Sequence, residues 1–98
     1  MRIIAVTACP TGIAHTYMAA EQLERAAKKL GHEIKVETQG AMGIENELSQ
    51  AEVDAASVAI LAADIALEKM ERFDRIRKIE VAVQEAIKNP EGVLTKVG

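Results

Sequence analysis

The sequence predicts a single α/β domain over residues 1–98, with three layers and helices on both faces of a four-stranded parallel sheet. Three observations lead to this prediction. Two short segments are apolar throughout, which is typical of strands buried on both faces. Two others alternate between apolar and polar residues. Segments with helical spacing separate most of these strands, and this favours parallel pairing through right-handed crossovers.

The first strand and first helix are the clearest elements. Residues 3–6 are apolar and end at Thr7, which predicts a buried strand. Residues 14–30 have helical spacing. Their apolar face consists of Ala19, Leu23, Ala26, Ala27 and Leu30. Gly31 stands where a glycine cap ends a helix.

The next segments predict an edge strand followed by a loop. Residues 32–38 alternate, with Ile34, Val36 and Thr38 on one face and Glu33, Lys35 and Glu37 on the other. We expect the face with these three charged residues to be solvated. Residues 39–43 read QGAMG and are predicted to be a loop. Asn46 is predicted to cap a short helix around residues 47–52.

The second half of the chain completes the predicted sheet. Residues 56–63 predict a central strand and residues 77–81 an edge strand, while residues 64–74 give no assignment. A helix follows and ends at Asn89, because a proline disfavours helix at the residue before it. Residues 91–98 form a last helical turn or a tail. With the two apolar strands in the centre, the predicted spatial order of the strands is 2-1-3-4. In such sheets ligands bind at the carboxyl ends of the strands, at the point where the strand order reverses, which here lies between strands 1 and 3.

The composition excludes several classes of function. The net charge is −3 and only two residues are aromatic, Tyr17 and Phe73, which argues against nucleic-acid binding. The longest apolar run, residues 58–63, is too short to insert directly into a membrane. A single cysteine cannot form an internal disulfide, which favours a reducing compartment. We expect a cytoplasmic protein that reaches a membrane only through a partner.

The only cysteine, Cys9, follows the first strand directly and so lies at the predicted reversal point. Backbone N–H groups of the loop and of the following helix attract anions and favour a thiolate. Gly12 permits the loop to turn its N–H groups inward, Pro10 stiffens it, and Thr11 and Thr16 add hydroxyl donors. This arrangement suits a thiolate that accepts a phosphoryl group. The alternative is a small buried apolar residue.

Two other kinds of cysteine loop can be compared with this one. A thioredoxin-like motif needs a second cysteine where this chain has Gly12. The loop resembles that of cysteine phosphatases, but the arginine that clamps phosphate in those enzymes is replaced by His15. Histidine does not give the bidentate, permanently charged clamp of arginine. The loop therefore favours holding a phosphoryl group for a partner over hydrolysis.

Four stretches of the chain resemble one known family. The runs TACPTGIAHTYMAAEQLE, VETQGAMGIENEL, ILAADI and ERF resemble the fructose-type enzyme IIB of the bacterial phosphoenolpyruvate-dependent sugar phosphotransferase system (PTS). This resemblance covers almost the whole chain. It implies a cytoplasmic domain that accepts a phosphoryl group from a phosphohistidine of enzyme IIA. The domain then passes the group to a fructose-like sugar held by the membrane component, enzyme IIC.

The resemblance also assigns residues to this reaction. Cys9 is then the phosphocysteine residue. The phosphate-binding loop consists of Pro10, Thr11, Gly12, Ile13, Ala14, His15 and Thr16. Neither a metal nor another cofactor is implied, and no cluster in the sequence has metal-ligand spacing. The domain is expected to associate with the inner face of the membrane through IIC.

Other residues on the same edge of the predicted sheet have two interpretations each. Gln39, Gly40 and Gly43 either form a wall of the pocket or simply make a turn. Ile13 and Met42 are candidate docking contacts for IIA and IIC, although a single exposed apolar residue is also ordinary.

The roles of two titratable residues, and two alternative functions of the domain, also need to be considered. His15 either donates to the phosphoryl group or is a first-turn helix residue satisfied by solvent or backbone. Asp64 is interpreted as a cap, because a carboxylate would repel a phosphoryl group. A phosphatase-like hydrolase and a regulatory domain phosphorylated on Cys9 are the alternative functions, since both need the same loop.

Overall fold

The computed structural model describes residues 1–10 and 13–97, and it contains the predicted elements with one additional strand. The strands are β1 (Arg2–Ala8), β2 (Glu33–Gly40), β3 (Gly43–Glu45), β4 (Val58–Ala63) and β5 (Lys78–Val81). The helices are α1 (Ile13–Lys29), α2 (Gln50–Ala55), α3 (Val83–Lys88) and α4 (Pro90–Thr95), with a 3-10 helix at Met70–Phe73. The three-layer α/β class is therefore confirmed.

The sheet has the strand order β3-β2-β1-β4-β5. β1 pairs in parallel with both β2 and β4, and β4 pairs in parallel with β5. The predicted order of the four parallel strands is thus confirmed. The prediction of only four strands is wrong, because β3 adds a fifth, antiparallel strand beside β2.

The interpretation of residues 39–43 as a loop is wrong at its two ends. Gln39 pairs with Ile44 and Gly40 pairs with Gly43, so only residues 41 and 42 turn between β2 and β3. Gly43 has a φ of +86°, a conformation that glycine adopts without a steric penalty. A strand of three residues depends on this hairpin and has too short a pattern to be recognised in the sequence.

The prediction that Asn46 caps a helix is also wrong. Ser49 caps α2 instead: its Oγ accepts from Glu52 N at 3.1 Å, and the Glu52 carboxylate accepts from Ser49 N at 2.9 Å. This reciprocal pair is a capping box, which the sequence SQAE encodes. Asn46 has a positive φ of 55°, and its Nδ2 donates to Val36 O.

Two apolar clusters cover the opposite faces of the sheet, because alternate residues of β1 point to opposite sides. Ile3 and Ala5 belong to one cluster, with side chains from α1, α3 and α4 such as Leu23. Ile4 and Val6 belong to the other, with Val53 of α2, and Phe73. The continuous apolar character of β1 is therefore explained by burial on both faces.

Glu37 corrects the prediction that one face of β2 is solvated. Its side chain is 0% exposed. The carboxylate accepts from Arg72 Nη1 at 2.7 Å and Nη2 at 3.0 Å, from Leu48 N at 2.8 Å and from Gln39 Nε2 at 2.8 Å. Burial alone would raise the pKa of Glu37, but these hydrogen bonds outweigh it and lower the pKa below its usual value. The buried pair joins β2 to the 3-10 helix.

We predict that Arg72→Met destabilises the protein by about 3–5 kcal/mol, because it leaves the buried Glu37 carboxylate without its charged partner. Chemical denaturation at neutral pH measures this change. Arg25→Met is the matched control, since Arg25 pairs with Glu21 on the surface of α1, where their side chains are 71% and 59% exposed. It should change the free energy of unfolding by less than about 1 kcal/mol. Equal effects of the two variants would contradict the buried pair's importance.

We also predict that acid weakens the fold through Glu37 and Glu52. A hydrogen bond from Lys35, followed by one from the Ser49 backbone, lowers the pKa of Glu52 to about 2 from its usual 4.5. Both carboxyls therefore bind a proton less readily in the folded chain. Their contribution is complete above about pH 4.5 and is lost as the pH falls through the lower folded values.

Urea denaturation at a series of pH values between 7 and 3 checks this prediction. The free energy of unfolding should fall across the acidic part of this range, and Glu52→Gln should make the decline shallower. A wild-type free energy that is constant across the range would refute the prediction.

Candidate functional site

Cys9 lies immediately beyond the carboxyl end of β1, where it is half-buried and packs against the α1 side of the core. Ala8 pairs with Ala63 of β4, and Thr7 pairs with Thr38 of β2. Continuing the two registers places Cys9 level with Asp64 on one side and with Gly40 on the other. The thiol therefore occupies the point where the chain reverses direction across the sheet.

The predicted phosphate-binding loop connects Cys9 to α1, which begins at Ile13. Thr11, Gly12 and the Ile13 side chain lie outside the described residues. Within the described part of the loop, Pro10 and Ala14 are exposed, and His15 is half-buried. The amino end of α1 follows Cys9 within four residues, and such an end carries N–H groups without intrahelical partners.

His15 is brought to the thiol by the first turn of α1. Its Nδ1 lies 3.9 Å from Cys9 Sγ, within reach of a long sulfur hydrogen bond. The sequence left open whether His15 faces the site or only solvent. The structure places this ring beside Cys9.

Two threonines fasten the beginning of α1 to the end of β1. Thr7 Oγ1 donates to Thr16 O at 3.0 Å, and both residues are buried. The hydroxyl oxygen of Thr16 is buried too, and it has no hydrogen-bond partner among the residues that the structure describes. Thr16, predicted as a donor in the loop, therefore lies in the interior at this end of α1.

The residues predicted as a pocket wall have different surroundings. Gln39 is buried, and its amide donates to Glu37 Oε2 at 2.8 Å and to Glu68 O at 3.2 Å, and accepts from Glu68 N at 2.8 Å. Its side chain thus ties the end of β2 to the segment after β4. Gly40 is exposed and comes level with Cys9, while Gly43 begins β3.

Asp64 acts as the predicted cap. Its Oδ1 accepts from Val83 N at 3.2 Å, at the first turn of α3. Its own backbone N donates to Ala8 O at 3.2 Å, which joins it to the strand that ends at Cys9. The carboxylate therefore has a structural partner of its own.

An open groove of about 630 Å³ lies at the same edge of the sheet, beyond β4 and β5. Residues 63–67, Met70 and residues 80–82 contribute to its lining. Ile65 in this segment is 43% exposed. The mixed apolar and polar pattern of residues 64–74 predicts neither a helix nor a strand, so this groove could not be recognised from the sequence.

The described residues contain neither a metal-binding cluster nor a membrane-spanning helix. Across residues 1–10 and 13–97, no group of three or more His, Cys, Asp and Glu side chains is placed to hold a metal ion. In the same ranges, no helix has the length and apolar character needed to cross a membrane.

Comparison with known proteins shows the family. A family profile described as "PTS system, Lactose/Cellobiose specific IIB subunit" matches residues 4–96. The "PTS system fructose-like EIIB component 2" of Escherichia coli K12 is 50% identical over 96 residues, which cover 98% of this chain and 91% of that protein. The "PTS system fructose-specific EIIABC component" of Bacillus subtilis is 50% identical over 95 residues, which cover 97% of this chain and 15% of that protein.

A solved structure agrees with these sequence matches. The crystal structure of a domain of the fructose-specific IIABC component of Borrelia burgdorferi superposes with a TM-score of 0.93 at 48% identity. It covers 98% of this chain and 91% of that domain.

The fold and the sequence matches together define a class of protein, the phosphoryl carriers of bacterial sugar phosphotransferase systems. The chain belongs to the IIB family of these systems, and its relatives at about half identity place it among the fructose-type members. The resemblance stated from the sequence is thereby confirmed, as is a general phosphotransferase activity.

Proposed function

We propose that Cys9 accepts a phosphoryl group from a phosphohistidine of enzyme IIA and passes it to a fructose-like sugar held by membrane enzyme IIC. The observation that carries this proposal is the position of Cys9 at the carboxyl end of the central strand, directly before α1 and beside His15. The names of the relatives add support. The Bacillus subtilis protein is an EIIABC component, so A, B and C parts occur together there.

The proposed chemistry uses the thiolate as a nucleophile. Cys9 Sγ attacks phosphorus in line with the departing nitrogen, and the charge spreads over the three equatorial oxygens. N–H groups of the loop that follows Pro10, which itself has none, and of the first turn of α1 stabilise this charge. The sequence has no arginine between Arg2 and Arg25. The loop therefore lacks the bidentate clamp of the cysteine phosphatases, which favours holding the group over hydrolysing it.

Two partners must reach the same thiol in turn, and exposed apolar side chains flank it. Met42, in the turn between β2 and β3, is 69% exposed, and Ile65, after β4, is 43% exposed. We propose that these side chains contact IIA and IIC, because exposed apolar groups beside a site are common docking contacts. Docking on IIC would hold the domain at the inner face of the membrane.

The central prediction concerns Cys9→Ser. After incubation with a phosphorylated fructose-type IIA, the wild type should gain the mass of one phosphoryl group and the variant should not. Intact-protein mass spectrometry measures this, and circular dichroism checks that the variant is folded. A variant that gains the same mass would sink the assignment of Cys9.

The other functions appear as distinct outcomes of this experiment. A wild type that gains no mass with any fructose-type IIA, but hydrolyses a phosphate monoester, would be a phosphatase-like hydrolase. A wild type that gains the mass but transfers nothing to a sugar in the presence of IIC would be a regulatory domain.

We predict that Met42→Ser lowers the second-order rate of phosphoryl transfer from IIA by about fivefold, the effect of a loss of about 1 kcal/mol in docking. Leu30→Ser is the matched control, because Leu30 is 45% exposed but follows α1 at the opposite end of the molecule. Its rate should equal that of the wild type. Stopped-flow or rapid-quench kinetics measures both rates, and an unchanged rate for Met42→Ser would remove Met42 from the docking surface.

A further inference from the structure

We propose that His15 is a catalytic residue that takes the proton of the Cys9 thiol before phosphoryl transfer and returns it when the phosphoryl group leaves. This inference rests on the proposed function of Cys9 and adds the path of the proton. It uses a group that the described residues place in contact with the reacting sulfur.

The geometry suits this transfer. His15 Nδ1 lies 3.9 Å from Cys9 Sγ, and both side chains are half-buried, which limits competition from water. Neutral imidazole has one nitrogen that accepts a proton and one that carries it. When Nε2 carries the hydrogen, Nδ1 is free to accept the S–H proton.

A histidine at position 15 suits a site that must first accept a phosphoryl group and later release it. A cysteine nucleophile reacts as the thiolate, and a histidine beside it is a common way to form one. Arginine in the same place would bind the phosphoryl oxygens but cannot accept a proton. Histidine can take the proton, stand as a cation beside the phosphoryl group, and give the proton back.

Each step balances. The S–H proton moves to His15 Nδ1, and the sulfur lone pair forms the S–P bond. The N–P bond of the donor phosphohistidine breaks, and the departing nitrogen keeps its electron pair and takes a proton from solvent. In the second transfer, a sugar hydroxyl attacks phosphorus and gives its proton to solvent or to a base of the enzyme IIC that holds the sugar. The S–P electron pair returns to sulfur, which takes back the proton from His15.

Other titratable groups on this edge come from three neighbouring elements. Asp64 follows β4 and accepts from Val83 N. Glu45 of β3 accepts a hydrogen bond from the Tyr17 hydroxyl of α1. Each of these groups has its own hydrogen-bond partner. Asp64 lies level with Cys9 in the sheet. The test therefore includes Asp64→Asn, which distinguishes the effect of the Asp64 charge from the effect of the His15 ring.

The first experiment follows the alkylation of Cys9 by iodoacetamide as a function of pH and needs no partner protein. His15→Asn keeps a hydrogen-bonding amide near the position of Nδ1 but cannot hold a transferable proton. It should change the pH profile of the rate, while Asp64→Asn should keep the shape of the wild-type profile. His32→Asn, which removes the other histidine before β2 at the opposite end of the sheet, should match the wild type.

The second experiment measures phosphoryl transfer from IIA in the same variants. His15→Asn should be about 100-fold slower, the usual effect of losing a general base, and His32→Asn should be unchanged. Circular dichroism checks folding. If His15→Asn does not fold, His15→Gln carries the same expectations. A His15→Asn protein with the wild-type alkylation profile, or with the wild-type transfer rate, would overturn the proposal.

The two proposals fail in distinguishable ways. A wild type that no fructose-type IIA phosphorylates would overturn the proposed function and, with it, the phosphoryl steps assigned to His15. An altered alkylation profile for His15→Asn would then still show that Cys9 and His15 share a proton. Conversely, rapid transfer by His15→Asn would leave Cys9 as the carrier and remove His15 from the chemistry.

Discussion

The parallel pairing of β1 with β2 on one side and β4 on the other positions every group at the proposed site. Because the chain crosses over opposite faces of the sheet to reach these two strands, the carboxyl end of β1 is left between two diverging connections. Cys9 is the first residue beyond that end. The Thr7 hydroxyl, bonded to Thr16 O, then fixes the entry of α1 and so brings His15 to the thiol.

The other side of this edge depends on a buried polar network. Glu37 is held by Arg72 and Leu48, and Gln39 connects it to the backbone of Glu68. These bonds hold the segment after β4, which lines the groove beside the site, against the end of β2. A fully satisfied buried network of this kind favours one arrangement of the segment, since each unpaired group would be costly.

The sequence predicted those elements whose signal is local. Continuous apolar strands and a 17-residue amphipathic helix were recognisable, and their alternation predicted the parallel order. Strand β3 was not, because three residues carry too little pattern. The burial of Glu37 was hidden as well, since an alternating strand looks the same whether its polar face meets water or Arg72, 35 residues away. Cys9 could be recognised from its position directly after a strand. The contact between His15 and Cys9 could not, because it depends on how α1 is rotated about its axis relative to β1.

The ³¹P spectrum of the phosphorylated protein shows whether the phosphoryl group travels on the sulfur of Cys9. A phosphorus bonded to sulfur resonates well apart from one bonded to a histidine nitrogen. We predict a single thiophosphate resonance that forms with phosphorylated IIA and disappears when IIC and a fructose-like sugar are added. A phosphoramidate resonance that assigns the group to His15 or His32, or a thiophosphate resonance that persists after the acceptor is added, would contradict phosphoryl transfer through Cys9.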